Sequence, residues 1–132
     1  MKKVLVTGGC GYIGSHTIID LIDNGFEVIS ADNYSNSDGT ALDAVKAITG
    51  ISVKNYKVDL CDIEKTRQIF IENKDIVGII HFAALKSVGD SVSMPLEYFH
   101  NNLNSLLSIL SSAKEFNAVS YTHLTLPTTP YV

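Results

Sequence analysis

The feature that most constrains this chain is a glycine-rich turn near its start. Gly8, Gly11 and Gly14 form the pattern G-x-x-G-x-x-G where a predicted strand at residues 2–7 leads into a segment with helical spacing at 12–24. Such glycines permit a tight turn, let backbone N–H groups approach a pyrophosphate, and let helix and strand pack closely. The N-terminus of the helix adds partial positive charge there. This context favours a dinucleotide site, and a generic glycine turn is the alternative.

The rest of the chain repeats the alternation of strand and helix, since apolar runs and helical spacing predict three further elements of each kind. The strands are expected at residues 26–31, 51–58 and 76–82, and the helices at 40–49, 63–73 and 95–116. Such alternation indicates a parallel sheet with helices on both faces, and right-handed crossovers make it doubly wound. The sequence therefore predicts an α/β fold, a Rossmann-type doubly wound parallel sheet truncated after about four strands.

Two acidic residues follow predicted strands. Asp32 ends the second strand, where a carboxylate can accept hydrogen bonds from an adenosine ribose; an Asp-Asn turn is the alternative. A 2′-phosphate would be repelled there, and the only arginine, Arg67, is not nearby in sequence, so NAD is favoured over NADP. Asp59 could reach an adenine amino group while Leu60 packs on the ring. An aspartate that merely starts a turn fits Asp59 equally well.

Composition excludes several classes of protein. The chain has 132 residues and 45% apolar residues, which suits one globular domain, and its net charge of −4 speaks against general binding to nucleic acid or anionic membranes. No apolar run reaches the roughly 18 residues of a transmembrane helix. The apolar start is too short for a signal peptide, so a cytoplasmic chain is expected. Cys10 and Cys61 show no metal-binding spacing, so no metal is expected.

Four stretches carry a resemblance to a known family. They read VLVTGGCGYIGSHT at 4–17, DNYSNS at 32–37, HFAALKSVGDSV at 81–92 and PLEYFHNN at 95–102. Over about residues 1–118 the chain resembles the extended short-chain dehydrogenase/reductase superfamily and, more narrowly, the N-terminal part of the UDP-glucose 4-epimerase family. The glycine turn indicates only the superfamily, whereas the second and third stretches favour epimerases over related nucleotide-sugar dehydratases.

The resemblance implies NAD as cofactor and a set of residues that contact it in addition to the glycines. These are Tyr12, Ile13, Asp32, Asn33, Tyr34, Ser35, Asn36, Ser37, Asp59, Leu60, Phe82, Ala83, Ala84, Leu85, Lys86 and Asn101. An exposed surface lysine is the alternative for Lys86. A mid-helix asparagine such as Asn101 is more often a solvated polar residue, so its role depends mainly on the resemblance. His81 ends an apolar strand and is interpreted as a hydrogen-bonded core histidine rather than a catalyst.

The resemblance also implies an isomerase of galactose and nucleotide-sugar metabolism that interconverts UDP-glucose and UDP-galactose by transient hydride transfer to NAD. A catalytic tyrosine with a lysine four residues later is expected in that family, and none of the six tyrosines here has such a lysine. We therefore expect no catalytic residue in this chain and no turnover. Another NAD-dependent nucleotide-sugar epimerase or dehydratase, or a non-catalytic dinucleotide-binding module, are the alternatives.

The last residues differ in character from the rest. Residues 119–132 contain four threonines, two prolines and no charged residue, and show no helical period. We expect residues 1–118 to form an incomplete NAD-binding domain, 119–132 to be an unstructured or artefactual tail outside the family, and the fourth strand to become a sheet edge. The resemblance further implies a UDP-sugar substrate and a homodimer for the full-length enzyme.

Overall fold

The computed structural model describes residues 2–10, 12–33, 40–82, 95–116 and 119–120 of the chain. Five strands and four helices lie in these ranges. In chain order they are β1 (Lys3–Thr7), α1 (Tyr12–Asp23), β2 (Glu27–Ala31), α2 (Thr40–Thr49), β3 (Lys54–Tyr56), α3 (Ile63–Glu72), β4 (Ile76–His81), α4 (Pro95–Glu115) and β5 (Val119–Ser120). The alternation predicted from the sequence is confirmed, with most bounds within one or two residues.

All neighbouring strands of the sheet pair in parallel, in the order β3-β2-β1-β4-β5. The chain runs outward from β1 to β3 and then crosses back past β1 to form β4. The strand order therefore reverses between β1 and β4, which is the topological switch point where open parallel sheets bind ligands. The predicted doubly wound α/β class is confirmed.

Two expectations about strands are wrong. Val119–Ser120 pairs in parallel with β4, so β4 is not an edge strand. Two residues are too few to show a periodic pattern, and the prolines that argued against a strand lie beyond them. The third strand is three residues long rather than eight, because only Lys54–Tyr56 finds partners on β2. Residues 121–132 lie outside the described part of the chain.

The core lies on both faces of the sheet because successive side chains of β1 point in opposite directions. Val4 and Val6 pack with Ile18 of α1 on one face. Leu5 packs with Phe70 of α3 on the other face, in a cluster that α4 completes. The helices thus cover the middle of the sheet and leave the two ends of its strands for other contacts.

Polar contacts fasten the amino end of the sheet, where the strands begin. The ammonium group of Lys3 lies 3.3 Å from the carboxylate of Glu27 and 3.0 Å from that of Asp75, and it donates to the side-chain oxygen of Asn73 at 3.2 Å. Burial lowers the pKa of Lys3, but the hydrogen bonds to Asp75 and Glu27 outweigh it and raise that pKa. One side chain thereby joins the starts of β1, β2 and β4.

Two further features position the helices. Asp62 caps α3, its carboxylate accepting the N–H of Lys65 at 3.2 Å, as the sequence predicts. The guanidinium of Arg67 on α3 donates hydrogen bonds to both carboxylate oxygens of Glu115 on α4, at 2.7 and 2.9 Å. In the described part of the chain, no helix has the length and apolar character needed to cross a membrane.

Candidate dinucleotide-binding site

The carboxyl ends of three strands bring together residues that are far apart in sequence. Thr7, the last residue of β1, pairs with Ala31 of β2 on one side and with His81 of β4 on the other. The residues that follow these strands, Gly8, Asp32 and Phe82, therefore leave the sheet at the same level. All three are predicted cofactor-binding residues. Gly8 and Phe82 flank the switch point between β1 and β4, and Asp32 follows the next strand, β2, at the same edge of the sheet.

The glycine turn directly follows β1, and its backbone packs closely against β2 and α1. Gly8 has a positive φ of 72°, which favours glycine, and its N–H donates to the carbonyl of Ala31 at 2.8 Å. A Cβ on Gly14 would overlap the backbone carbonyl of Gly8, so glycine at 14 lets α1 start against the turn. The turn therefore packs helix to strand as the spacing predicts, while Gly11 lies outside the described residues.

Gly9 is a further turn residue that the spacing argument does not single out. A Cβ there would collide with the side chains of Ser30 and Ile18. The Gly-Gly pair at 8 and 9 is the available sequence signal, but the collision depends on how β2 and α1 surround the turn. The packing of the turn therefore requires three glycines among the described residues rather than two.

The backbone of Asp32 is held by β3, and its side chain reaches over to the glycine turn. Its carboxylate accepts the backbone N–H of Cys10 at 3.0 Å. Its own N–H donates to the carbonyl of Tyr56 at 3.1 Å, and its carbonyl accepts the side-chain amide of Asn55 at 3.1 Å. The hydroxyl of Ser30 in turn donates to Asn55 at 2.8 Å. The negative charge of Asp32 thus lies against the glycine turn in a fixed place.

Asn55 is another residue that the sequence analysis does not identify. It lies in β3, register-paired with Ser30 on β2, and its amide bridges the Ser30 side chain and the Asp32 backbone. A polar residue inside a short strand gives a weak signal, because its partner depends on the register of β2 and β3. Its position fixes the backbone from which the Asp32 carboxylate projects.

A buried polar pair lies beneath the switch point. The hydroxyl of Thr7 is 2.6 Å from Nδ1 of His81, and both side chains are fully buried. The N–H of Phe82 donates to both the backbone carbonyl of Thr7, at 3.0 Å, and its hydroxyl, at 3.1 Å. The prediction of a hydrogen-bonded core histidine is confirmed.

Asp59 and Leu60 follow β3, and both make contacts within the chain. The Asp59 carboxylate accepts the N–H of Cys61 at 2.9 Å, and its carbonyl accepts the N–H of Asp62 at 2.9 Å. Leu60 is buried in the core cluster around Phe70. These contacts match the turn-starting alternative, and an adenine contact by either residue stays a prediction. Burial first, then the charge of Asp59, raises the pKa of the Cys61 thiol, which keeps it protonated near neutral pH.

The remaining predicted site residues divide into three groups. Ile13 and Asn33 are described: Ile13 is exposed in the first turn of α1, and Asn33 follows Asp32. Tyr12 and Asn101 lie in α1 and α4, but their side chains are outside the described structure. The positions that fall wholly outside the described residues are Gly11, Tyr34, Ser35, Asn36, Ser37, Ala83, Ala84, Leu85 and Lys86. Within the ranges that are described, no three His, Cys, Asp or Glu residues form a group that could hold a metal ion.

The fold and this turn define a Rossmann-type α/β protein. The sequence model of the family described as GDP-mannose 4,6 dehydratase matches residues 5–128 of the chain. That match extends past residue 118, where the sequence predicts a domain boundary. The chain therefore belongs to this family.

Relatives and solved structures within the family are similar over most of the chain. A UDP-glucose 4-epimerase of Bacillus subtilis is 47% identical over 113 residues, which cover 86% of this chain and 33% of that protein. The bifunctional protein GAL10 of Candida maltosa is 46% identical over 114 residues, covering 86% of this chain and 74% of that sequence. A crystal structure of UDP-glucose 4-epimerase from Bifidobacterium longum, in complex with NAD+ and UDP, has a TM-score of 0.88 and 46% identity. It matches 94% of this chain and 36% of its own.

The chain matches only part of the length of these relatives. It spans about a third of the length of the Bacillus subtilis protein and of the Bifidobacterium longum structure. The resemblance to UDP-glucose 4-epimerases inferred from the sequence is confirmed.

Proposed function

We propose that this chain is the NAD-binding part of a UDP-glucose 4-epimerase. The observation that carries the proposal is the placement of the Asp32 carboxylate against the glycine turn at the switch point of the sheet. A turn of backbone N–H groups at a helix N-terminus suits a pyrophosphate, and an adjacent carboxylate suits the ribose hydroxyls. The similarity to epimerases, one of them in complex with NAD+ and UDP, supports the same assignment.

The charge of Asp32 supports NAD rather than NADP as the ligand. Hydrogen bonds from ribose hydroxyls to a carboxylate are charge-assisted and therefore strong. A 2′-phosphate would instead bring two like charges together, and the only arginine of the chain, Arg67, is engaged with Glu115 between α3 and α4. The site therefore lacks the arginine that accommodates this phosphate in NADP-binding relatives.

The role of this chain in the reaction is to bind and orient. NAD, when bound, supplies the hydride acceptor for oxidation at carbon 4 of the sugar. Gly8 and Gly14 shape the turn that receives the pyrophosphate, and Asp32 orients the adenosine ribose. The chain contains no tyrosine with a lysine four residues later, so the group that takes the proton from the sugar hydroxyl is not supplied by such a pair here.

Calorimetric titration of the purified 132-residue chain tests this function. We expect saturable binding of NAD, at least about tenfold weaker binding of NADP, and no interconversion of UDP-galactose and UDP-glucose. Equal affinity for the two cofactors would contradict the role of Asp32. Turnover of UDP-galactose would contradict the assignment of this chain to cofactor binding alone.

A nucleotide-sugar dehydratase is the second candidate, favoured by the description of the matching family model. The stretches DNYSNS at 32–37 and HFAALKSVG at 81–89 favour the epimerase. Assaying the full-length protein, of which this chain is proposed to be the NAD-binding part, with UDP-galactose and with GDP-mannose distinguishes the two candidate functions. Epimerisation without loss of water supports the first proposal, and formation of a 4-keto-6-deoxy sugar supports the second.

Two further expectations belong to the full-length protein. A homodimer is proposed, with α4 as one contributor, because Leu96, Leu103, Leu107 and Leu110 are exposed along that helix. Analytical ultracentrifugation of the parent protein should give twice the mass of one chain. A cytoplasmic location stays a prediction from the sequence, to be checked by cell fractionation.

A further inference from the structure

We propose that Thr7 and His81 form a positioning pair that sets the geometry of the cofactor crevice without touching the cofactor. The proposal rests on the proposed NAD-binding function and deepens it. The crevice lies between β1 and β4, and its walls start at Gly8 and Phe82. Any group that fixes the ends of these two strands relative to each other therefore fixes both walls.

The pair is placed to do this by its contacts. Thr7 and His81 are register partners at the last paired position of the two strands, and the Thr7 hydroxyl lies 2.6 Å from Nδ1 of His81. The same hydroxyl accepts the N–H of Phe82 at 3.1 Å. The hydroxyl oxygen of Thr7 thus connects the end of β1 to the His81 side chain of β4 and to the backbone N–H of Phe82, the first residue after β4.

The chemistry of the pair explains why a threonine and a histidine serve here. Both side chains are fully buried, so the Thr7 hydroxyl and Nδ1 of His81 depend on each other and cannot exchange that partner for bulk water. Such a bond is made only when the two strand ends keep one separation. An apolar side chain at either position would fill the space without specifying that separation, and positioning errors of this kind weaken binding without unfolding the protein.

A threonine elsewhere in the chain provides a matched control. The hydroxyl of Thr49, at the end of α2, donates to the carbonyl of Val45 at 2.7 Å and accepts the N–H of Ile51 at 3.2 Å. Thr49→Val therefore removes one hydroxyl and two hydrogen bonds, as Thr7→Val does, but at a point leading into β3. Comparing the two variants therefore distinguishes the effect of losing a hydroxyl from the effect of losing the fixed separation of the strand ends.

The experiment measures NAD affinity by calorimetry, below the melting temperature of every variant. We expect Thr7→Val to raise the Kd by about tenfold or more, Thr7→Ser to stay within about threefold, and Thr49→Val within about twofold of the unaltered chain. His81→Leu should match Thr7→Val, whereas His81→Asn, which keeps a polar atom near the position of Nδ1, should recover part of the affinity. Equal Kd values for Thr7→Val and the unaltered chain would overturn the proposal, as would equal losses in Thr7→Val and Thr49→Val.

A second readout does not require the cofactor. Amide hydrogen exchange of Phe82 reports the strand ends directly, and Thr7→Val should accelerate it by about tenfold while Thr49→Val leaves it unchanged. If the unaltered chain fails to bind NAD, the proposed function fails, and this exchange measurement still decides the positioning pair. Unaltered exchange of Phe82 in Thr7→Val would overturn it.

Discussion

The two ends of the parallel sheet are built by different means. At the amino end, Lys3 joins the starts of three strands through exposed carboxylates and an amide side chain. At the carboxyl end, Thr7 and His81 join two strands through a bond that is fully buried. Both arrangements join β1 to β4, so stability alone does not explain why they differ.

The difference follows from what each end presents to solvent. The amino end places its charges outside, where Glu27 and Asp75 complete the ion pairs. The carboxyl end keeps its polar bond beneath the surface and places the glycine turn, the start of α1 and one fixed carboxylate, Asp32, at the edge of the sheet. The N-terminus of a helix attracts an anionic ligand, whereas the surface charges of the amino end are already paired with one another. The comparison therefore predicts that changes at the carboxyl end alter NAD binding and changes at the amino end alter stability alone.

The largest effect is expected for Gly14→Ala, at the carboxyl end. The new Cβ would overlap the backbone carbonyl of Gly8, which cannot move without opening the turn. We expect a loss of about 2–3 kcal/mol of stability and no measurable NAD binding. Urea denaturation and calorimetry measure the two effects.

Gly50→Ala is the matched control for that change. Gly50 has a φ of 76° at the end of α2, and a Cβ there would meet nothing within 4 Å. Only backbone strain, about 1 kcal/mol, should result, with the NAD affinity unchanged. Normal NAD binding by Gly14→Ala would break the assignment of the turn.

The next effect is expected for Asp32→Asn. This change keeps the size of the side chain and removes its charge, so the charge-assisted bonds to the ribose are lost. NAD affinity should fall about tenfold or more and the preference for NAD over NADP should shrink. The same substitution at the amino end, Asp75→Asn, should leave both quantities unchanged. Equal losses in the two variants would contradict the proposed separation of roles.

A moderate effect on stability is expected for Lys3→Met. The side chain is 13% exposed, and its removal would release the starts of β1, β2 and β4. The melting temperature should fall by roughly 3–6 °C, while the Kd for NAD stays within about twofold. A raised Kd at an unchanged melting temperature would contradict the roles assigned to the two ends of the sheet.

The smallest effect concerns pH. The hydrogen bond from Lys3 lowers the pKa of Asp75 from its usual 3.8. A lowered folded-state pKa stabilises the fold above about pH 3.8, and that contribution is lost as the pH falls through the folded value. The urea midpoints of the unaltered chain and Asp75→Asn should therefore differ by a constant amount from pH 7 to about 5 and converge below about 3.8. Parallel curves down to pH 2.5 would show that Asp75 is unpaired in solution.

Much of the fold follows from local pattern. Apolar periodicity predicts the helices and the longer strands, and Asp62 is recognised as a cap because its side chain lies three residues before the amide it binds. The fifth strand could not be predicted in this way because Val119–Ser120 is too short to show a hydrophobic period. Its place depends on an available partner, which β4 provides.

The candidate site divides in the same way. The spacing of Gly8 and Gly14 and the strand-terminal position of Asp32 predict the glycine turn and its acidic neighbour. The Asn55 bridge and the partner of His81 were not predictable, because they depend on which residues the strand register places opposite each other. Thr7 and His81 are 74 residues apart, and only the pairing of β1 with β4 makes them neighbours.

Titration of the ¹⁵N-labelled chain with NAD, followed by amide chemical shifts, tests the central claim most directly. Saturable shifts are expected at Gly8, Cys10, Asp32 and Phe82, at the carboxyl end of the sheet. The amides of Lys3, Glu27 and Asp75, at the amino end, should not move. Shifts concentrated at the amino end, or none up to millimolar NAD, would contradict the account.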